Sequence, residues 1–247
     1  MTVTSDLSSP PHVHPIVLRQ ERYDLRRRLL RDFLLRPVGF GLLVKPHVEG
    51  RERIPTSGPT LLIMNHVAAI DPFVVVGTVY PRYVVPMSKV ENYRSPFVRL
   101  IIRSWGVYPV RRGEVDRQAL ASTLALLEQD RPVLFAPEGT RHPALSDAKD
   151  GMAYVATKAN AVIVPVGLDG TDQFPASLKR LRRAQVTVWF GRPFRLRTGG
   201  RARIPRDEMR QMTRETMWQL AALLPDHRRG VYSDLDRMTT DCLEFLD

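Results

Sequence analysis

The stretch Ile63-Met64-Asn65-His66-Val67-Ala68-Ala69-Ile70-Asp71-Pro72-Phe73 places an imidazole and a carboxylate five residues apart at the end of an apolar run. Residues at that separation do not face each other on a regular helix, so a contact between His66 and Asp71 requires a loop between them. Val-Ala-Ala-Ile offers the small and apolar side chains that such a loop can bury. If Asp71 accepts a hydrogen bond from one ring nitrogen, it fixes the tautomer and leaves the other nitrogen as a general base. The competing reading of Asp71 is structural. Asp-Pro is a good helix start, the carboxylate capping free amides and the proline fitting the first turn.

Three further stretches could hold a substrate or shape its pocket. In Gly106-Val107-Tyr108-Pro109-Val110-Arg111-Arg112-Gly113 a strand runs into paired arginines, either of which could hold a phosphate in a bidentate grip. The bland alternative is a surface arginine in a turn. In Phe135-Ala136-Pro137-Glu138-Gly139-Thr140-Arg141 the chain bends sharply after a buried strand, which can aim backbone amides, Arg141 and the Thr140 hydroxyl at one anionic point. Glu138 beside that point could order the arginines or meet a substrate hydroxyl; the alternative is a plain turn with a salt bridge. In Val162-Ile163-Val164-Pro165-Val166-Gly167 the proline marks a bulge or a strand end, because it cannot donate to a ladder.

The elements that must position these residues follow from pattern. Apolar runs predict strands at Thr60–Met64, Tyr83–Met87, Val107–Val110, Val133–Ala136, Val162–Val166 and Val186–Phe190. Helical rhythm lies between several of them, at about 72–80, 94–104, 115–129 and 151–159, with a long amphipathic helix over Asp207–Leu224. Short continuous apolar strands alternating with helices predict an α/β fold: one domain with a mostly parallel central sheet flanked by helices. In such sheets ligand sites collect at the carboxyl ends of the strands, where these motifs fall.

Ahead of that unit, residues 1–15 read as a disordered leader. Residues 16–44 read as a basic amphipathic segment, with Leu18, Leu25, Leu29 and Phe33 on one stripe and Arg19, Arg22, Arg26, Arg27 and Arg31 elsewhere around the wheel. Such a segment can lie in a membrane interface, its guanidinium groups on lipid phosphates. The alternative is an ordinary docked helix with a solvated basic face. The catalytic unit is expected at 45–225 and a C-terminal tail at 226–247, with at most a short helix after Val231.

Composition bounds the possibilities further. A hydrophobic fraction of 43% over 247 residues supports a sizeable core. The net charge of +11, nearly all of it arginine, points to phosphate-bearing or anionic partners. Cys242 is the single cysteine, so no disulfide framework and no cysteine-based zinc site is expected. No apolar signal core is visible, and the longest apolar stretches fall short of the roughly 20 residues needed to cross a bilayer. A peripheral, monotopic place on the cytoplasmic face of a membrane is therefore expected.

The ordered blocks NHxxxxD, G-x-x-x-V-x-R, PEGTR and V-P-V together resemble the four blocks of the glycerolipid acyltransferase family, the PlsC-like 1-acylglycerol-3-phosphate acyltransferases. The resemblance covers roughly residues 45–225. It implies transfer of an acyl group from acyl-CoA or acyl carrier protein (acyl-ACP) to the free hydroxyl of lysophosphatidic acid, with no metal and no bound cofactor. By position it makes His66 the general base and Asp71 its orienting partner. Arg112 matches the phosphate-binding arginine, and Glu138, Gly139, Thr140 and Arg141 match the acceptor-binding block. Lys89 and Lys149 match further recurring positions. Two departures stand out: Arg111 occupies a place that is usually acidic, so either arginine could be the ligand, and His142 stands where serine often ends the third block.

Attack of an alcohol on an activated thioester needs deprotonation and alignment, and the absence of a Gly-x-Ser-x-Gly elbow speaks against a covalent acyl-enzyme. Two rival readings remain open. One keeps the fold and changes the acceptor to glycerol 3-phosphate, another lysophospholipid or a glycolipid. The other is a basic nucleic-acid-binding protein, using runs such as Lys179-Arg180-Leu181-Arg182-Arg183 and the arginines between 192 and 206. Those runs lack the interleaved aromatics of single-strand platforms, so no nucleic-acid partner is expected.

Overall fold

A computed structural model describes residues 12–246 apart from Arg112 and Glu114, and of Phe97 the backbone alone. In chain order its principal elements are α1 (Asp24–Leu29), β1 (Val44–Glu49), β2 (Thr60–Met64), α2 (Asp71–Thr78), β3 (Val85–Lys89), α3 (Pro96–Trp105), β4 (Tyr108–Val110), α4 (Arg117–Glu128) and β5 (Val133–Phe135). There follow α5 (Gly151–Lys158), β6 (Val162–Asp169), α6 (Ala176–Lys179), β7 (Ala184–Phe190), β8 (Phe194–Leu196), α7 (Arg206–Ala221), α8 (Asp226–Arg229) and β9 (Leu243–Phe245). Among the described residues the nine strands form one sheet in the order β1-β7-β6-β2-β5-β3-β4, with β8 pairing β6 and β9 pairing β8.

The sheet is mostly parallel, as its continuous apolar strands require. β2 is parallel to β5 and β6, β3 is parallel to β5 and β4, and β1 is parallel to β7. β7 runs antiparallel to β6. Alternate residues of β2 feed opposite faces. Leu61 and Ile63 pack with Leu126, Met152 and Leu220 of α4, α5 and α7, whereas Leu62 and Met64 pack with Val75, Ile102 and Phe40 on the other side.

Three strands escape the apolar-run pattern. β1 is an edge strand whose burial alternates, so Lys45 and His47 interrupt its reading as a core strand. β8 and β9 are three residues each. β9 corrects the expectation for the tail: the segment after Val231 contributes an extended strand to the sheet, preceded by short 3-10 turns. Pro165 also departs from expectation. β6 runs through it without a bulge or end, because the strand changes partner there, from β8 at Ile163 to β7 from Val166 onward. The proline sits in that gap and its carbonyl accepts from the Gly191 amide at 2.8 Å.

The N-terminal region differs most from its expected form. Residues 1–11 of the expected leader lie outside the described residues, but Val13–Pro15 are docked. The His14 amide donates to Ser122 Oγ of α4 at 3.0 Å, and Val13 packs against the core beside the buried Val17. The segment beyond is not one regular helix. After 3-10 turns at Pro15–Val17 and Gln20–Tyr23 and the short α1, Leu30–Leu43 winds as a π-helix that encloses Pro37. Proline has no N–H to give and needs room in the preceding turn, and the wider winding provides it.

The wheel is also turned relative to an ordinary docked helix. Arg27 is 0% and Arg31 3% exposed, whereas Leu25 is 67% and Phe33 73% exposed. Arg27 donates from Nε to the Trp105 carbonyl at 2.8 Å and from Nη1 to Asp24 at 3.2 Å, and Nη2 meets Gln20. Burial lowers its pKa to about 10. Arg31 lies over the rings of Tyr80 and Tyr83, at 5.3 and 4.7 Å. Gly77 of α2 lets the segment come close, since a Cβ there would stand 2.4 Å from the Phe40 ring. Two inward arginines thus fasten the segment alongside Leu30, Leu35, Phe40 and Leu43, which pack on the core, while Leu18, Leu25, Leu29, Leu34 and Leu42 face out.

Removing the Arg27 fork strands the Trp105 carbonyl and the Gln20 side chain. Arg27→Met is expected to destabilise the protein by about 2–4 kcal/mol and to open residues 16–43 to protease. Denaturant titration and limited proteolysis measure both effects.

Candidate active site

β2 delivers its chain end to the carboxyl edge of the sheet and Asn65 holds it there. The Asn65 side chain donates to the Leu168 carbonyl at 2.9 Å and accepts from the Leu168 amide at 2.8 Å, clamping the turn to β6. Sequence reasoning missed this role; the signal was a polar amide at the end of a wholly apolar strand.

Beyond Asn65 the loop folds His66 back onto Asp71. His66 Nδ1 lies 2.9 Å from Asp71 Oδ2. The same oxygen accepts from the Val67 amide at 2.6 Å and the Ala68 amide at 2.8 Å. Asp71 is buried, and its Oδ1 has no hydrogen-bond partner among the described residues. Asp71 opens α2 with Pro72 behind it, but its carboxylate binds amides upstream of the helix, so the capping alternative does not describe it. With three N–H groups directed at one oxygen, the ring proton belongs on Nδ1 and Nε2 is left as the basic nitrogen.

The loop after β5 is tied to the same place, since the His142 amide donates to the His66 carbonyl at 2.9 Å. Its motif residues separate. Glu138 is buried, and its carboxylate accepts from the Ser146 amide at 2.9 Å and the Ser146 hydroxyl at 3.0 Å. Burial raises its pKa, against the lowering influence of those bonds. It therefore braces the loop and does not border the cavity beside His66, and among the described residues no arginine side chain is bonded to it. Thr140 and Arg141 are exposed, and neither borders the cavity beside His66. Gly139 does border it, in a left-handed turn with φ 74°.

That cavity measures about 1030 Å³. Met64, Met87, Val110, Leu120, Leu124 and Phe135 give it apolar walls, and His66 lies on its surface. Exposed Arg111, Arg117, Lys149, Arg203, Arg206 and Arg210 put cations at its mouth. Of the expected set, the cavity thus gathers His66, Arg111, Gly139 and Lys149. Lys89 ends β3 on the same edge but does not border the cavity, and Arg112 lies outside the described residues. Arg203 and Arg206 were visible only as part of a basic run and Arg210 only as part of the long helix; Arg206 and Arg210, four residues apart, share one side of α7, and Arg203 comes from the loop before it. Cys242 is buried beside Glu215 and does not border this cavity, its thiol pushed up to about 11 by burial. Among the described residues no group of three or more His, Cys, Asp or Glu side chains is arranged to hold a metal.

The model of the acyltransferase family matches residues 45–169, from β1 through β6. The chain belongs to the acyltransferase family. A protein of Borreliella burgdorferi named 1-acyl-sn-glycerol-3-phosphate acyltransferase is 31% identical over 135 residues, 53% of this chain and 54% of that protein. A Chlamydomonas reinhardtii protein of the same name is 30% identical over 189 residues, 70% of this chain and 54% of its own. The chain thus spans about half the length of these acyltransferase relatives. The crystal structure of the 1-acyl-sn-glycerophosphate acyltransferase PlsC from Thermotoga maritima matches with a TM-score of 0.54 over 81% of this chain and 86% of that one, at 22% identity. The fold is shared.

Glu138 provides a check on the bracing role. A carboxyl raised above its ordinary 4.5 contributes stability that is complete below 4.5 and is lost as the pH climbs through the raised value. Glu138→Gln keeps an acceptor for Ser146 and carries no charge to bury. Its melting temperature relative to the wild type is expected to rise between acid pH and neutrality, as read by thermal melts across that range.

Proposed function

We propose that the protein transfers a fatty acyl group from acyl-CoA or acyl-ACP to the free hydroxyl of 1-acylglycerol 3-phosphate, giving phosphatidic acid. The observation that supports this most is the imidazole held by Asp71 Oδ2 on the surface of a large apolar cavity with a cationic mouth. The apolar walls suit acyl chains, and the exposed Arg and Lys groups suit the acceptor phosphate. His66 Nε2 takes the hydroxyl proton as the oxygen bonds to the thioester carbonyl carbon. The C–S bond then breaks, and the departing thiolate receives the proton from the imidazolium. No acyl group is carried on the enzyme in this scheme.

Asp71 acts by orienting His66 and stabilising the imidazolium. Arg111, Lys149 and Gly139 stand where the acceptor headgroup enters, with Arg203, Arg206 and Arg210 added by the fold. The membrane reading belongs to the same proposal. No helix among the described residues is long and apolar enough to cross a membrane, but the outward leucines of residues 18–42, with Arg19, Arg22, Arg26 and Arg28 exposed among them, form a surface suited to an anionic bilayer on its cytoplasmic face.

His66→Ala is expected to lower turnover of lysophosphatidic acid with labelled acyl-CoA by roughly 10²–10⁴-fold while keeping the far-ultraviolet circular dichroism of the folded protein. A folded variant with wild-type turnover would remove the general base from the scheme. A panel of lyso-lipids, with acyl-CoA and acyl-ACP compared side by side, distinguishes the acceptors and donors. Leu25→Ser combined with Phe33→Ser is expected to weaken co-sedimentation with anionic vesicles.

A further inference from the structure

We propose that the loop between β6 and β7, residues 175–183, is a second foot on the membrane that presses Leu178 and Leu181 into an anionic lipid surface. The inference rests on the membrane reading of the N-terminal segment but concerns different residues. Leu181 is 93% exposed and Leu178 41%. The loop is built rather than slack: the Leu181 amide donates to the Leu178 carbonyl and the Arg182 amide to the Ser177 carbonyl, each at 3.0 Å. Leu181 holds a left-handed φ of 52°, a conformation that non-glycine residues avoid. The turn therefore costs backbone strain to present an apolar side chain to water. Lys179, Arg180, Arg182 and Arg183, all exposed, surround the two leucines. Apolar tips set among cations complement a surface of acyl chains under phosphates.

Topology puts this loop beside the N-terminal segment. β7 starts next to β1, Ala184 facing Val44, so the loop before one strand adjoins the π-helix before the other. Arg183 ties them directly, Nη1 donating to the carbonyls of Phe40 at 3.3 Å and Gly41 at 3.4 Å. Exposed Val38 and Leu42 lie on that stretch. Because β7 is antiparallel to β6, and β6 is parallel to β2, the loop also sits on the carboxyl edge from which His66 emerges. A bilayer that touches both feet meets the edge where the cavity opens.

The test uses the full chain and vesicles of phosphatidylcholine with phosphatidylglycerol. Leu178→Ser with Leu181→Ser is expected to weaken vesicle partition about tenfold or more, since burial of each leucine contributes on the scale that changes an equilibrium tenfold. Turnover of a short-chain, water-soluble acceptor is expected to stay at the wild-type level. Leu181→Cys in a Cys242→Ser background, labelled with an environment-sensitive dye, is expected to shift to the blue when vesicles are added. Wild-type partition in the loop variant, or a label that does not shift, overturns the second foot. If Leu25→Ser with Phe33→Ser weakens binding in that case, the N-terminal reading stands alone. If neither variant changes partition, both readings fall. A loop variant that keeps its partition but loses turnover with acyl-ACP assigns the loop to the acidic carrier protein and overturns the proposal.

Discussion

One oxygen atom, Asp71 Oδ2, collects N–H groups from the His66 ring and from the Val67 and Ala68 backbones in a place closed to water. Burying a carboxylate is expensive unless its lone pairs are met, and here the loop itself meets those of Oδ2. The same bonds that satisfy the charge therefore set the loop's shape and the ring's direction. Neighbouring elements lock onto the result. Asn65 fastens the strand end to β6, and the His142 amide fastens the loop after β5 to the His66 carbonyl. Such a framework fits a histidine that must act without reorganising.

The helix that Asp71 opens is also the one against which the N-terminal segment rests, through Gly77 and Phe40. This segment inverts the usual partition of side chains in part, burying Arg27 and Arg31 beside Leu30 and Leu35 while other leucines stay exposed. Its buried cations are acceptable because carbonyls, Asp24 and aromatic faces take the place of water around Arg27 and Arg31. Its exposed leucines gain nothing in water, so the arrangement has a physical reason only if another apolar phase covers them. The proposed function supplies one, since both the acyl chains and the product partition into lipid.

Glu138 shows how a residue can sit inside a recognisable block and act through its neighbours. Bonded to the Ser146 amide and hydroxyl and to the His66 backbone, it shapes the turn that carries Gly139 to the cavity, whose cations come from elsewhere in the chain. Three of them, Arg203, Arg206 and Arg210, come from α7 and the loop before it, some sixty residues further along the chain than the block itself.

The local order of the chain was decided by sequence. Short apolar runs rich in branched residues and bounded by turn residues are the mark of strands buried on both faces, so β2 and β6 and the helices around them were legible from length, flanks and period together. The His66–Asp71 pairing was only one of two readings of that spacing, the other being a helix cap, and it was the ordered blocks taken together that favoured it. Direction was not legible. A helical wheel with a leucine stripe and an arginine stripe states their separation, and either can face inward. The choice was made by the Trp105 carbonyl and the Tyr80 and Tyr83 rings, which only folding brings beside Arg27 and Arg31. The same holds for the cations at the cavity mouth and for the strands at 194–196 and 243–245. Spacing is a property of neighbouring residues, whereas facing depends on partners that tertiary structure alone delivers.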